Sequence, residues 1–120
     1  MTVQLTKNFA QDEFECKCGC GSNNISAELV EKLQKVRDIL GKPIRVVSGV
    51  RCISHNSKIG GSATSSHIDG EAVDVFCSDS GERDYLVGVL RSQFSRMGIA
   101  KEFIHVDVSK TKDSPVLWVY

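Results

Sequence analysis

No stretch of this chain stays apolar for anything near the ~20 residues that a helix needs to cross a bilayer. The opening Met1-Thr2-Val3-Gln4-Leu5-Thr6-Lys7 also lacks the apolar core of a secretory signal. Insertion into a membrane is therefore not expected, and synthesis in the cytosol without a signal peptide is. Neither sign of charge is in excess, with fifteen Lys and Arg against fifteen Asp and Glu. No basic field is available to gather a phosphate backbone, so a nucleic-acid partner is disfavoured. Internal repeats, low-complexity tracts and linker-like segments are absent as well. At 120 residues, the expectation is one domain spanning 1–120, large enough for a real core and too small for two.

The five cysteines lack the pattern of a zinc knuckle, which would pair cysteines two residues apart with a second pair further on. Instead Cys16, Cys18 and Cys20 alternate with Lys17 and Gly19, Cys52 follows Arg51, and Cys77 lies just beyond a β-type run. Three readings stay open: reduced thiols, a disulfide to Cys52 in an oxidising space, or a structural metal shared by the cluster and Cys52. The odd count leaves at least one thiol free of any disulfide.

The periodicity is that of an α+β chain. Ser26 can cap a helix in which Leu29, Leu33, Val36 and Leu40 recur at helical spacing, and Gly41 with Pro43 stops it. Residues 44–48 are rich in β-branched side chains and predict a strand that delivers Arg51 at its end. The Ser- and Gly-rich residues 54–66 predict a surface loop, and 71–76 a second strand. A second helix is expected after Ser80, carrying Tyr85, Leu86, Val89, Leu90, Phe94 and Met97 inwards and ending at Gly98. Strands are expected at 103–108 and 116–120. The apolar stripes of both helices are read as core, because each is short and flanked by strands it can cover.

The most informative stretch is Ser65-Ser66-His67-Ile68-Asp69-Gly70-Glu71-Ala72-Val73-Asp74, together with His105 in Phe103-Ile104-His105-Val106-Asp107. Two imidazoles and a carboxylate make a candidate zinc site in His67, Asp74 and His105. Three protein ligands with one open position is the pattern of a catalytic zinc, whereas a structural zinc is closed by four ligands. Gly70 permits a sharp turn, and small Ala72 permits the close packing that would bring Asp74 back beside His67.

The order Ser65-x-His67-x-x-Gly70-x-Ala72-x-Asp74, followed by His105, resembles the zinc D-Ala-D-Ala carboxypeptidase and L-alanyl-D-glutamate endopeptidase family of peptidoglycan hydrolases, in particular its short phage and prophage members. Ser48-Gly49-Val50-Arg51, His55-Asn56 and Gly60-Gly61 support the likeness, which extends from about Phe9 to Asp107. The resemblance implies a small antiparallel sheet with covering helices around a hedgehog/DD-peptidase-like zinc site. It implies a zinc metallopeptidase that hydrolyses amide bonds involving D-amino acids in peptidoglycan stem peptides, either by trimming a terminal D-Ala or by cutting within the stem. A phage lysin of this kind would reach the cell wall after a separate protein opens the membrane. No separate wall-binding repeat is present, so a monomer whose catalytic domain does its own targeting is expected.

Amide hydrolysis also needs a group that moves a proton to the leaving amine. In the family this is an acidic residue three positions before the final histidine, which Glu102 matches. Alternation along a strand puts Phe103, His105 and Asp107 on one face and turns Glu102 away. Asp107 is therefore the other candidate, either as the base or as an acceptor that fixes a histidine tautomer. The resemblance further implies that Arg51 holds a substrate carboxylate or carbonyl, for which a planar guanidinium is suited. Ser65 is read as a substrate donor or as the residue that orients the His67 turn. His55 is left off the metal, and with Asn56 it is expected to organise the long loop. The alternative function is a catalytically inactive, zinc-stabilised peptidoglycan-binding or virion module that keeps the ligands and lacks a working base.

Overall fold

The computed structural model describes residues 3–120. After a short 3-10 turn at Gln11–Phe14, the elements run α1 (Ala27–Leu40), β1 (Val46–Ser48), α2 (Ile53–Lys58), β2 (Ala72–Phe76), α3 (Ser80–Arg91), β3 (Arg96–Ile99), β4 (Phe103–Asp107) and β5 (Val116–Val119).

The capping signals of α1 work as its sequence predicts. Ser26 accepts a hydrogen bond from the Leu29 amide, and Gly41 ends the helix in the left-handed region at φ 69°. Leu29, Val30, Leu33 and Val36 are all buried, each contributing roughly 1.5–3 kcal/mol of transfer free energy. The second helix, α3, is capped by Asp79 and buries Val89 and Leu90. It stops at Arg91, well short of Gly98. Ser92 folds its hydroxyl back onto the Val89 carbonyl at 2.6 Å, and the chain then turns into β3. Phe94 and Met97 are buried as expected, but from a loop and a strand. Their spacing after Leu90 fits a helical stripe equally well, which hid the alternation of β3. Tyr85, expected inside, is 52% exposed.

The five strands form one sheet in the order β1-β2-β4-β3-β5. The α+β class with helices over the sheet is as expected, and the β1-β2, β2-β4 and β3-β4 pairs are antiparallel. The β3-β5 pair is parallel. Both edges of β4 are already taken by β2 and β3, so the chain reverses after β4 and adds to the free edge of β3, running the same way as β3. A further departure is α2, which occupies part of the segment expected to be loop.

Alternation divides the sheet cleanly into two faces. Val73, Val75, Met97, Ile104 and Val106 join α1 and α3 side chains in the core. The opposite face carries Asp74, Arg96, Gly98, His105 and Asp107. Register then builds the site, because Asp74 pairs with His105, His105 with Gly98, and Gly98 with Trp118 in a single row across the sheet. In the next row Asp107 sits between Ala72 and Arg96.

Candidate metal centre

His67 comes to this face from a turn rather than a strand. The Gly70 amide donates to the His67 carbonyl, which also accepts from the Arg51 amide at 3.0 Å, and Ser65 Oγ accepts from the His67 amide. Gly70 has φ 70°, and a Cβ there would collide with the Asn24 carbonyl oxygen. Only glycine fits this turn without strain.

Two ring nitrogens converge on Asp74 Oδ1, with His67 Nε2 at 3.2 Å and His105 Nδ1 at 3.1 Å. The far nitrogen of each ring also has a partner. His67 Nδ1 lies 2.7 Å from the Gly49 carbonyl oxygen, and His105 Nε2 lies 2.7 Å from Asp107 Oδ2. A carbonyl and a carboxylate only accept, so these far nitrogens carry the ring protons. In the neutral rings the near nitrogens then present lone pairs to a carboxylate oxygen. Three lone pairs meeting in this way are stable only around a cation, either a proton or a metal ion. The three candidate ligand atoms lie within 4.8 Å of one another, and the two-nitrogen, one-oxygen donor set suits zinc.

The surroundings hold these groups in place. Arg51 donates from Nε to Ser48 Oγ, from one terminal nitrogen to Asn56 Oδ1 at 3.1 Å, and from the other to Asp74 Oδ2 at 3.3 Å. Buried Asn56 in turn donates to the Ser62 carbonyl, so it organises the loop as expected and also aims Arg51. Asp107, 2% exposed, accepts from Arg96 Nε at 2.7 Å and from the Ser109 amide at 3.1 Å through Oδ1.

Charge follows from these contacts. Burial alone would raise the Asp74 carboxyl, but the near nitrogens of His105 and His67, when they carry a proton, outweigh it and hold the group well below the usual carboxylate range. Burial likewise resists charging of His105, yet its bonds to Asp107 and Asp74 push its pKa above the ordinary imidazole value. Asp107 is lowered despite burial, through His105, the Ser109 amide and the Arg96 charge. Tyr120 is 65% exposed, yet partial desolvation of its phenol raises it, so it stays protonated at neutral pH.

A cavity of about 350 Å³ opens over the centre, and Arg51, Ser65, His67, Asp74, His105 and Asp107 all line it. Glu102 does not. It is exposed in the bend before β4. His55 lies in α2, away from this wall. Sequence reasoning missed Arg96, Lys112, Trp118 and Tyr120 on the wall. Trp118 stacks near His105 with ring centroids 5.2 Å apart, and the Arg96 guanidinium lies 5.2 Å from the Trp118 ring. Gly98 makes room for this, because a Cβ there would run into the indole. The one available signal was two aromatics two apart, placing Trp118 and Tyr120 on one strand face.

Three convergent candidate ligand atoms with outer partners and an open side form a candidate mononuclear metal centre, an arrangement suited to metallohydrolase chemistry. A family model for Peptidase M15 matches residues 6–107, and the chain belongs to that family. Its members are zinc-dependent peptidases. Among curated proteins, none matches the chain. No helix among the described residues is long and apolar enough to cross a membrane.

Proposed function

We propose that this chain is a single-domain zinc peptidase acting on peptidoglycan stem peptides, at amide bonds involving D-amino acids, with His67, Asp74 and His105 holding the ion. The observation that carries this reading is the pair of imidazoles on Asp74, each fixed in one tautomer by a protein acceptor, beneath an open cavity. A zinc ion bound there would supply an acidified water and an electrophilic pull on the scissile carbonyl. The remaining work belongs to the chain. Arg51 uses three of its N–H groups within the protein, which leaves two for a substrate carboxylate or carbonyl. The protonated Tyr120 phenol offers a further donor. Arg51, Arg96 and Lys112 make the wall attractive to the carboxylates that stem peptides carry. Ser65 acts through the His67 turn, and Asp107 acts by holding the His105 tautomer. Like the phage and prophage proteins it resembles, the chain would act on the wall as a monomer after release.

One observation favours a second reading. Both wall carboxylates are committed, Asp74 to the histidines and Arg51 and Asp107 to His105 and Arg96. Glu102 is off the wall, so among the described residues no carboxylate stands free there as a general base. A module that holds stem peptides without cutting them fits this arrangement.

Mass spectrometry of purified peptidoglycan fragments, incubated with zinc-loaded protein and with a chelated control, tests the reading. Free D-Ala identifies a carboxypeptidase and a cut stem peptide an endopeptidase. Intact fragments, despite zinc bound in a way that depends on Asp74, support the binding module.

A further inference from the structure

Outside the cavity, the described residues bring one other group of metal-ligating side chains together. Cys16, Cys18, Cys20 and Cys52 are all free thiols, and their four sulfurs lie within 4.8 Å of one another. The loop that carries the first three curls back on itself, with the Cys16 amide donating to the Ser22 carbonyl at 2.8 Å and the Gly19 amide to the Cys16 carbonyl. Positive φ at Gly19 and Gly21 permits the curl. The fourth sulfur comes from thirty-odd residues further along, at the residue that caps α2.

We propose that Cys16, Cys18, Cys20 and Cys52 bind a second zinc ion in a closed four-sulfur site. Sulfurs held about 2.3 Å from a central zinc in a tetrahedron lie about 3.8 Å from one another. Cys16 Sγ and Cys18 Sγ are 3.5 Å apart, and Cys18 Sγ and Cys52 Sγ are 3.7 Å apart. A second, independent observation concerns the backbone. The Cys52 amide donates to Cys16 Sγ at 3.4 Å and the His55 amide donates to Cys52 Sγ at 3.3 Å. Amides aimed at sulfur stabilise thiolate charge, which metal binding requires. Buried Cys77 stands apart from the group, so the odd thiol is accounted for. On binding, each thiol that ligates gives its proton to solvent and no electron moves.

The two centres would then differ in kind. The His67-Asp74-His105 centre keeps an open side, whereas four thiolates leave none, so the second ion is structural. What it fixes is the segment leading into the cavity. The Val50 amide donates to the Phe14 carbonyl at 2.8 Å, and Gly49 passes so close to Phe14 that a Cβ would sit 2.7 Å from the Phe14 carbonyl oxygen. Gly49 supplies the acceptor for His67 Nδ1, and Arg51 adjoins Cys52. A metal tying Cys52 to the 16–20 loop holds both positions against the N-terminal segment.

The test is metal content and cobalt spectroscopy of the full chain, purified under reducing conditions. Wild type is expected to hold two equivalents of zinc, while D74A and a C18S/C20S double variant each hold one. Cobalt-loaded D74A is expected to show an intense thiolate-to-cobalt charge-transfer band. This arm stands even if the cysteine variant does not fold. One equivalent in wild type that vanishes in D74A would overturn the proposal and leave the first centre untouched. Absence of the thiolate band in cobalt-loaded D74A would overturn it as well.

Discussion

Replacing Asp107 by Asn keeps its shape, removes one charge and turns one acceptor into a donor. Its effect can be worked from three contacts: His105 Nε2 on Oδ2 at 2.7 Å, and Arg96 Nε and the Ser109 amide on Oδ1 at 2.7 and 3.1 Å. The Asn oxygen can serve Arg96 and Ser109 only if the amide group turns towards His105 Nε2. That nitrogen must then accept, so the ring proton moves to Nδ1, the atom that faces Asp74. Zinc has to displace that proton, and D107N should bind zinc about 10–100-fold more weakly, or about 1.4–2.7 kcal/mol. Two charge-assisted bonds also become neutral-acceptor bonds, which should lower the stability of the metal-free fold by about 1–3 kcal/mol. Because the Asp107 pKa is depressed, that stability difference is present above about 3.8, its ordinary value, and fades as pH falls through the lower folded value. Zinc affinity by competition with a chromophoric chelator, and denaturant unfolding of the metal-free protein, give the two numbers. A D107N protein with wild-type zinc affinity but no turnover would refute this reasoning and make Asp107 the proton-transfer group.

E102A should leave both zinc affinity and turnover unchanged, since the side chain is exposed and off the wall; loss of turnover with zinc retained would place Glu102 at the reacting centre. The raised pKa of His105 means that its stabilisation of the metal-free protein is complete below about 6.5, its ordinary value, and is lost as pH rises through the higher folded value. Zinc affinity should climb over the same window, and calorimetry should find a proton released on binding; no proton release near pH ~6.5 would contradict this. G98A should push Trp118 off His105 and cost about 1–3 kcal/mol by overpacking. Because Trp118 is the only tryptophan, an unchanged emission spectrum would argue against that displacement. If the proposed peptidase reading holds, R51K should raise KM more than it lowers kcat, because a lysine keeps the charge and loses the planar fork; an unchanged KM would remove Arg51 from substrate binding.

The parts of the fold written in local chemistry were legible in the sequence. Ser26 and Gly41 bracket α1 by capping alone, and the β-branched alternation around Val73 and Ile104 marks two strands whose other faces carry the candidate ligands. The 103–107 alternation set Asp107 beside Glu102 as a candidate base without choosing between them, and of the two only Asp107 lines the cavity. What escaped depends on partners distant in sequence. β3 is short and contains Arg96 and Gly98, neither of which reads as a strand former. Arg96 makes sense only opposite Asp107, and Gly98 only beneath Trp118. α2 hid in a Ser-rich segment whose helical character rests on Cys52 as cap and on the buried Asn56. The neighbourhood of the four sulfurs depends on a loop closure joining residue 16 to residue 52, which spacing alone leaves open.

The row Asp74-His105-Gly98-Trp118 runs from the middle of the sheet to its edge. Under the proposed reading, two of the three ligands, Asp74 and His105, sit on β2 and β4, each hydrogen-bonded to a strand on both sides, while the surface that a substrate would meet is completed by β5, bonded on one side only. Changes at Leu117, Val119 or Tyr120 on the edge would reshape what is admitted with little effect on the ligands, whereas a change at Trp118 would reach His105 directly. Selectivity would then be tuned largely from the rim of the sheet, and Gly98 marks the point where that rim meets the chemistry.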